Sequence, residues 1–162
     1  MLIAIISDTH LTGPARPLPA KCVELMRSAE LIVHAGDFMT LDVLERIESL
    51  GPPVKAVYGN MDTAELRRRL PAEISFEAER LRVGVVHDAG PAQDRLERLR
   101  ARFPGADAVI FGHSHLPLHE VSGDFQIFNP GSPTQRRRAP RHTMGVARVE
   151  HGAARFEHVF IT

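Results

Sequence analysis

Short apolar runs rich in Ile and Val recur along the chain, and each of them ends in a polar or glycine-bearing segment. An apolar run of this length, bounded by turn residues, is typical of a strand that is buried on both faces of a sheet. Five runs predict such strands: Leu2–Ser7, Leu31–His34, Val54–Tyr58, Leu81–His87 and Ala108–Gly112. Because helical patterns separate several of these strands, the chain is predicted to adopt an α/β fold.

The helices are predicted at Leu18–Ser28, Leu41–Leu50 and Ala92–Phe103, where apolar residues recur at helical spacing. The end of the chain shows strand patterns without helical patterns between them. A strand at Gln126–Asn129 is followed by runs over 144–149 and 153–160, which flank a turn at 150–152 and predict an antiparallel hairpin. We find no composition shift and no repeat, so we predict one domain over residues 1–162.

Charge and cysteine content exclude several classes of protein. The chain has 20 Lys and Arg residues against 20 Asp and Glu residues, so no overall positive field favours nucleic acid. Its one cysteine, Cys22, cannot form an internal disulfide, which fits a reducing compartment. The first apolar run lacks the basic leader of a signal peptide, and no segment reaches the length of a membrane span. We therefore expect a soluble, cytoplasmic protein with no membrane partner.

Residues able to bind metals follow the predicted strands. Asp8 and His10 follow the first strand, Asp37 the second and Asn60 the third. The fourth strand ends at His87, and the fifth is followed by His113 and His115. Open α/β sheets bind their ligands at the carboxyl ends of the strands, so these seven side chains are expected to meet there.

This donor set indicates the kind of metal. Two Asp, four His and one Asn, without a thiolate, suit borderline to hard divalent ions such as Mn²⁺, Fe²⁺, Co²⁺, Ni²⁺ or Zn²⁺. Seven donors exceed what one catalytic ion takes, whereas two ions that share a carboxylate would have four each. Such a pair favours an anionic substrate. We expect a phosphate ester, attacked in line by a hydroxide that bridges the two metals.

The residues around these ligands form a recognisable series. Asp8-Thr9-His10, Gly36-Asp37, Gly59-Asn60, His87 and Gly112-His113-Ser114-His115 resemble, in order and spacing, the motifs of the calcineurin-like metallophosphoesterases. The chain length, its first ten residues and the segment Asn129–Pro133 resemble the small prokaryotic YfcE-type phosphodiesterase branch of that superfamily. The resemblance runs over nearly the whole chain.

The resemblance implies a fold and a ligand arrangement. The fold is a four-layer α-β-β-α sandwich of two mainly mixed β-sheets flanked by helices. One metal is held by Asp8, His10 and His115, and the other by Asn60, His87 and His113. Asp37 bridges the two ions, and Asp37, Asn60 and His87 are expected to act in catalysis. Manganese is the expected metal, with nickel, cobalt, iron and zinc as alternatives.

One position departs from the wider superfamily. After Gly59-Asn60, larger members carry a His that can protonate the leaving group, whereas this chain has Met61. A thioether cannot donate that proton, so we expect phosphodiesters or activated esters to be cleaved in preference to monoesters with poor leaving groups. The small branch often has Cys at this position.

The segment Ser132–His142, rich in Pro and Arg, is predicted to be a mobile or ligand-facing loop. Bidentate donors suit phosphate, so Arg136, Arg137, Arg138 and His142 are candidates for contact with a small phosphodiester or nucleotide-like substrate. Two alternatives stay open. One is a non-catalytic protein-binding scaffold, as the retromer subunit of this fold is, and the other is a nuclease. Members of the family often form dimers or tetramers, so a homo-oligomer is also open.

Overall fold

The computed structural model describes residues 1–162 and contains two five-stranded sheets. The first sheet has the order β10-β9-β1-β2-β3, where β1 is Leu2–Ile6, β2 Leu31–His34, β3 Val54–Ala56, β9 His142–Glu150 and β10 Ala153–Ile161. β1, β2 and β3 are parallel, while β9 runs antiparallel to β1 and to β10. The sheet is therefore mixed, and the predicted hairpin at the end of the chain is confirmed.

The second sheet has the order β4-β5-β6-β8-β7, where β4 is Glu73–Ala78, β5 Leu81–Val86, β6 Ala108–Ile110, β7 Leu118–Ser122 and β8 Phe125–Asn129. β5, β6 and β8 are parallel, and the edge strands β4 and β7 are antiparallel to their neighbours. The four helices are α1 Ala20–Ser28, α2 Leu41–Glu48, α3 Ala64–Arg69 and α4 Arg95–Arg102. None of them has the length and apolarity needed to span a bilayer.

Apolar side chains alternate between the two faces of each sheet. In β1, Ile3 and Ile5 join a core cluster with residues of the second sheet, whereas Ala4 and Ile6 pack with residues of α1 and α2. A third cluster places Leu99 and Phe103, from α4 and its end, against the outer face of the second sheet. A strand must be apolar throughout when both of its faces are covered, which explains the continuous runs in the sequence. Two mixed sheets with flanking helices confirm the predicted fold.

Three elements were not predicted from the sequence, namely α3, β4 and β7. Every second residue of β4 is exposed, and four of the five residues of β7 are exposed. Edge strands of this kind carry polar residues, and the apolar signal of a buried strand is then missing. The six residues of α3 bury only Leu66, so its helical periodicity is equally weak.

Cys22 is fully buried in α1, and burial raises the pKa of its thiol to about 12. Since the thiolate is the reactive form, we expect no reaction of the native protein with Ellman's reagent at pH 8 and complete reaction in guanidinium chloride. Absorbance at 412 nm follows the released thionitrobenzoate. Stoichiometric labelling of the native protein within seconds would contradict the buried position.

Candidate metal centre

The metal-binding residue types predicted from the sequence lie together at the carboxyl edge of the parallel strands. Each of them is on a loop that follows a strand, and five have positive φ angles, which is rare for residues other than glycine. These five are Asp8 (φ 54°), His10 (φ 43°), Asp37 (φ 60°), His113 (φ 68°) and His115 (φ 61°). Strained backbone of this kind concentrates at functional sites, where the surrounding structure holds it in place.

Hydrogen bonds fix the loop that carries Asp8. Its backbone N–H donates to the Gly36 carbonyl at 2.9 Å, and its carbonyl accepts from the Ser132 hydroxyl at 2.7 Å. Its Oδ2 accepts from Ser7 Oγ at 2.6 Å and from the His113 backbone N–H at 3.0 Å. Only Oδ1 is left, and this buried oxygen has no hydrogen-bond partner.

The unpartnered oxygen faces three imidazoles. Asp8 Oδ1 lies 3.3 Å from His115 Nε2, 3.9 Å from His10 Nε2 and 4.0 Å from His87 Nε2. The Nε2 atoms of His10 and His115 are themselves buried without a hydrogen-bond partner. An unpaired buried polar atom is costly, and three that face one another indicate a place for a cation. The Asp8, His10 and His115 ligand atoms lie within 4.8 Å of one another, as a shared ion requires.

Asp37 occupies the centre of the cluster. Its Oδ2 lies 3.3 Å from both His10 Nε2 and His87 Nε2, and its Oδ1 accepts from the Met61 backbone N–H at 2.8 Å. The ligand atoms of Asp8, Asp37 and His87 also lie within 4.8 Å of one another. Asp37 is thus close to one histidine of each predicted ligand set. Asp8 belongs to both groups of ligand atoms that lie within 4.8 Å of one another.

Asn60 and His113 complete the cluster at its rim. The Asn60 Oδ1 atom lies 3.0 Å from His87 Nε2 and 3.0 Å from His113 Nδ1. His113 is half exposed, with Asp88 Oδ2 3.9 Å from its Nε2 atom. All seven side chains predicted from the sequence therefore lie in one contiguous group, although their role as ligands stays a prediction.

Carbonyl groups orient the histidines. The Nδ1 atom of His87 lies 2.7 Å from the Ala35 carbonyl, and the Nδ1 atom of His115 contacts the Gln135 carbonyl. A ring that donates from Nδ1 presents the lone pair of Nε2, which is the form that binds a metal. In both residues Nε2 points at the carboxylates.

The charges and pKa values of the cluster also indicate a site for a cation. Neither Asp8 nor Asp37 has a Lys or Arg partner; their only ion-pair partners are histidines. Burial alone would lower the pKa of His10, but the Asp37 and Asp8 carboxylates outweigh it and raise that pKa to about 9. Burial also opposes charge on His87, and the same carboxylates raise its pKa. Protons thus supply positive charge that a bound metal ion would replace.

His34 lies beside this group without joining it. Its Nδ1 atom accepts from the Gly36 N–H at 3.1 Å, and its Nε2 atom lies 3.3 Å from Thr9 Oγ1. The ring stacks on Phe38, and burial lowers the pKa of His34 to about 3. Both nitrogens of the neutral ring are used within the protein, so His34 shapes the loop rather than offering a ligand atom.

Asp62 joins the loops that carry Asp37 and Asn60. Its Oδ2 accepts from the backbone N–H groups of Asp37 at 3.0 Å and Gly59 at 2.7 Å, and its Oδ1 accepts from that of Met39 at 2.8 Å. Thr63, the next residue, caps α3 through its own hydroxyl. The sequence could not show this function of Asp62, because its three N–H donors belong to loops that meet only in the tertiary structure.

The residues predicted to contact substrate separate into two groups. Arg136, Arg137 and Arg138 are exposed, and Arg136 Nη1 donates to the Ala139 carbonyl of its own loop at 2.7 Å. His142 instead lines a cavity beside His10. Arg16 lines the same cavity and was not predicted, since it lies outside the motif Asp8-Thr9-His10 and the residues next to it match no other motif. Substrate contact by these residues stays a prediction.

Comparisons with known proteins show the family of the chain. Residues 1–152 match the family described as the calcineurin-like phosphoesterase superfamily domain. A probable metallophosphoesterase of Methanothermobacter thermautotrophicus is 40% identical over 141 residues, which cover 85% of this chain and 80% of that protein. Phosphodiesterase YfcE of Escherichia coli K12 is 32% identical over 154 residues, covering 82% and 79%. The solved structure of an archaeal phosphodiesterase is 28% identical, with a TM-score of 0.77 over 98% of this chain and 100% of that one.

Proposed function

This chain belongs to the calcineurin-like phosphoesterase superfamily, and from that membership we propose that it is a metal-dependent phosphodiesterase of the YfcE type. The observation that carries the proposal is the group of buried, unpartnered atoms Asp8 Oδ1, His10 Nε2 and His115 Nε2 beside Asp37. Unpaired buried atoms of this kind destabilise a protein, and a surface used only for protein contacts would not require them. The phosphodiesterase names of relatives support the same reaction.

The residues fit a pair of divalent cations. We assign one to Asp8, His10 and His115 and the other to Asn60, His87 and His113, with Asp37 between them. Manganese suits this mixture of carboxylate, amide and imidazole, as do iron, cobalt, nickel and zinc. When bound, the two ions supply a nucleophile at neutral pH and neutralise charge on the phosphoryl oxygens.

The protein's own groups orient the reacting phosphate. Asp37 is held by the Met61 N–H and His87 by the Ala35 carbonyl, so neither side chain has to reorganise during the reaction. The Asn60 Oδ1 atom faces His87 and His113, while its Nδ2 atom has no partner in the protein. That amide N–H can donate to a phosphoryl oxygen of the substrate. Asp37, Asn60 and His87 are therefore the proposed catalytic residues.

Met61 decides the class of ester. This residue is 48% exposed at the rim of the site, and its thioether offers no proton. A leaving alkoxide then departs without general acid assistance, which is worth about 10²–10⁴-fold in rate. We propose a small phosphodiester or nucleotide-like substrate with an activated leaving group. The formal net charge of zero favours such a small substrate over a nucleic acid.

Hydrolysis of two nitrophenyl esters tests the proposal. Chelator-treated protein should be inactive, and protein restored with Mn²⁺ should cleave bis-p-nitrophenyl phosphate about tenfold or more faster than p-nitrophenyl phosphate. The Met61→His variant, which adds a proton donor, should gain on esters with poor leaving groups such as phenyl esters. Release of nitrophenolate, or of phenol, provides the measurement.

Two outcomes would contradict the proposal at different levels. Equal rates for a nitrophenyl and a phenyl diester with the unmodified protein would refute the need for an activated leaving group that is assigned to Met61. No turnover with Mn²⁺, Co²⁺, Ni²⁺ or Zn²⁺, with two ions bound per chain by elemental analysis, would refute the phosphodiesterase and favour a binding scaffold.

A further inference from the structure

A cavity of about 480 Å³ opens beside the candidate metal centre. Its volume lies within the range of small-molecule sites and suits a group the size of a nucleoside. Thirteen residues line it: Thr9, His10, Leu11, Ala15, Arg16, Pro17, Pro19, Pro133, Thr134, Gln135, His142, Ile161 and Thr162. Because His10 belongs both to this cavity and to the metal-ligand cluster, a molecule bound here adjoins the reacting phosphate.

The side chains that line the cavity favour an anion. None of them is acidic, whereas Arg16, His10 and His142 bring a guanidinium and two imidazoles. The guanidinium of Arg16 makes no hydrogen bond or ion pair within the protein, unlike that of Arg46 behind it, which binds the carbonyls of Arg16 and Gly13. The His142 ring has no hydrogen-bond partner either. Both groups are therefore available to a ligand.

The walls of the cavity are built before any ligand arrives. Arg46 fixes the loop that carries Arg16 through the two carbonyl contacts, at 3.4 and 3.3 Å. On the opposite wall, the Thr134 hydroxyl donates to the Thr9 carbonyl, and the Gln135 N–H donates to Ser132 Oγ at 2.8 Å. A preformed cavity loses less entropy when it binds, which favours specific recognition.

We propose that this cavity binds the part of the substrate that does not react, and that this part carries a second phosphate held by Arg16 and His142. The inference rests on the proposed function, which it deepens by naming a substrate class: phosphodiesters of a phosphorylated nucleoside. Leu11, Ile161 and the three prolines provide apolar surface for the sugar and base. The planar guanidinium provides bidentate contacts to phosphate. Arg16 thereby takes the role that the sequence assigned to Arg136, Arg137 and Arg138.

A pair of chromogenic diesters tests the second phosphate. Thymidine 5′-(p-nitrophenyl phosphate) and the same compound with a 3′-phosphate share their leaving group and nucleoside. We expect the Mn²⁺-restored protein to prefer the 3′-phosphorylated ester by about tenfold in kcat/KM, mainly through KM, because the contact lies away from the reacting atoms. In Arg16→Gln this preference should fall to about one, and in Arg16→Lys it should be intermediate.

A binding measurement separates this inference from the proposed function. Thymidine 3′,5′-bisphosphate is titrated calorimetrically into the chelator-treated protein, and Arg16→Gln should bind it about tenfold more weakly. The control is Arg148→Gln, which removes the same charge from an exposed arginine paired with Leu2 in the β-sheet register, at the end of β9 away from His142. It should retain both the preference and the affinity.

The outcomes are distinguishable. Metal-dependent cleavage of both esters at equal rates, with no effect of Arg16→Gln on rate or binding, would overturn the assignment of the cavity and leave the phosphodiesterase intact. No cleavage of any diester would overturn the phosphodiesterase. Arg16-dependent binding of the bisphosphate would then still support the cavity as an anion site. Equal losses in Arg16→Gln and Arg148→Gln would show a general charge effect and also overturn the assignment.

Discussion

Asp37→Ala is expected to lower Mn²⁺-dependent hydrolysis of bis-p-nitrophenyl phosphate by about a thousandfold or more. The Oδ2 atom of Asp37 lies 3.3 Å from both His10 Nε2 and His87 Nε2, so it is the carboxylate that joins the two proposed ligand sets. Its removal leaves Asp8 as the one carboxylate of the cluster. Two divalent cations at close range would then face too little negative charge, and we expect elemental analysis to find one ion or fewer per chain.

The controls for Asp37→Ala separate chemistry from folding. Asp37→Asn retains an oxygen that can accept from the Met61 N–H, so it should fold like the unmodified protein and still lose most activity. Asp124→Ala removes an exposed carboxylate near the turn between β7 and β8 and should be fully active. If Asp37→Ala kept more than about a tenth of the activity with two ions bound, Asp37 would not be the shared ligand.

Asp62→Ala is expected to lower the free energy of unfolding of the metal-free protein by about 3 kcal/mol. The carboxylate accepts three backbone N–H groups, from Asp37, Met39 and Gly59. Alanine leaves all three donors without a partner in a largely buried place, and each such loss costs about 1 kcal/mol or more. The loops of Asp37 and Asn60 would then separate, and we expect weaker Mn²⁺ binding as a second effect.

Urea denaturation in the presence of chelator measures the loss of stability, and calorimetry measures Mn²⁺ affinity. Asp62→Asn keeps one accepting oxygen but turns an amide N–H₂ toward a backbone donor, so its stability should lie between those of the alanine variant and the unmodified protein. Asp124→Ala, which removes an exposed carboxylate from the turn between β7 and β8, serves again as the control. A loss below about 1 kcal/mol for Asp62→Ala would show that water replaces the carboxylate.

The strands with a continuous apolar run could be predicted from the sequence with boundaries close to those of the structure. β2 was predicted at Leu31–His34 and lies there, because both of its faces are covered and every residue is buried. β4 and β7 could not be predicted, because an edge strand with an exposed face has no such run. The burial that makes a strand recognisable is thus set by its neighbours.

The grouping of the proposed ligand residues could be predicted for a related reason. Parallel strands end at a common edge, so a polar residue just after each of several apolar runs must lie near the others. This reasoning accounts for Asp8 and Asp37, which follow neighbouring strands of one sheet. His87 follows a strand of the second sheet, and it lies beside them because the two sheets pack on a shared core. The same reasoning did not reveal that Ser7, Ser132 and Asp62 hold these loops, because their hydrogen bonds join segments that are distant in sequence.

The sequence by itself therefore determined the α/β class, the positions of the buried strands along the chain and the seven polar residues that follow them, since periodicity and chain direction are local properties. The tertiary structure alone decided which atoms of these residues remain unpartnered and which arginine faces the site. Arg16 and His142 are far apart in the chain, and they share a cavity only because the loop after β1 packs against the start of β9. Distances and exposure of this kind follow from packing between segments, which no local pattern records.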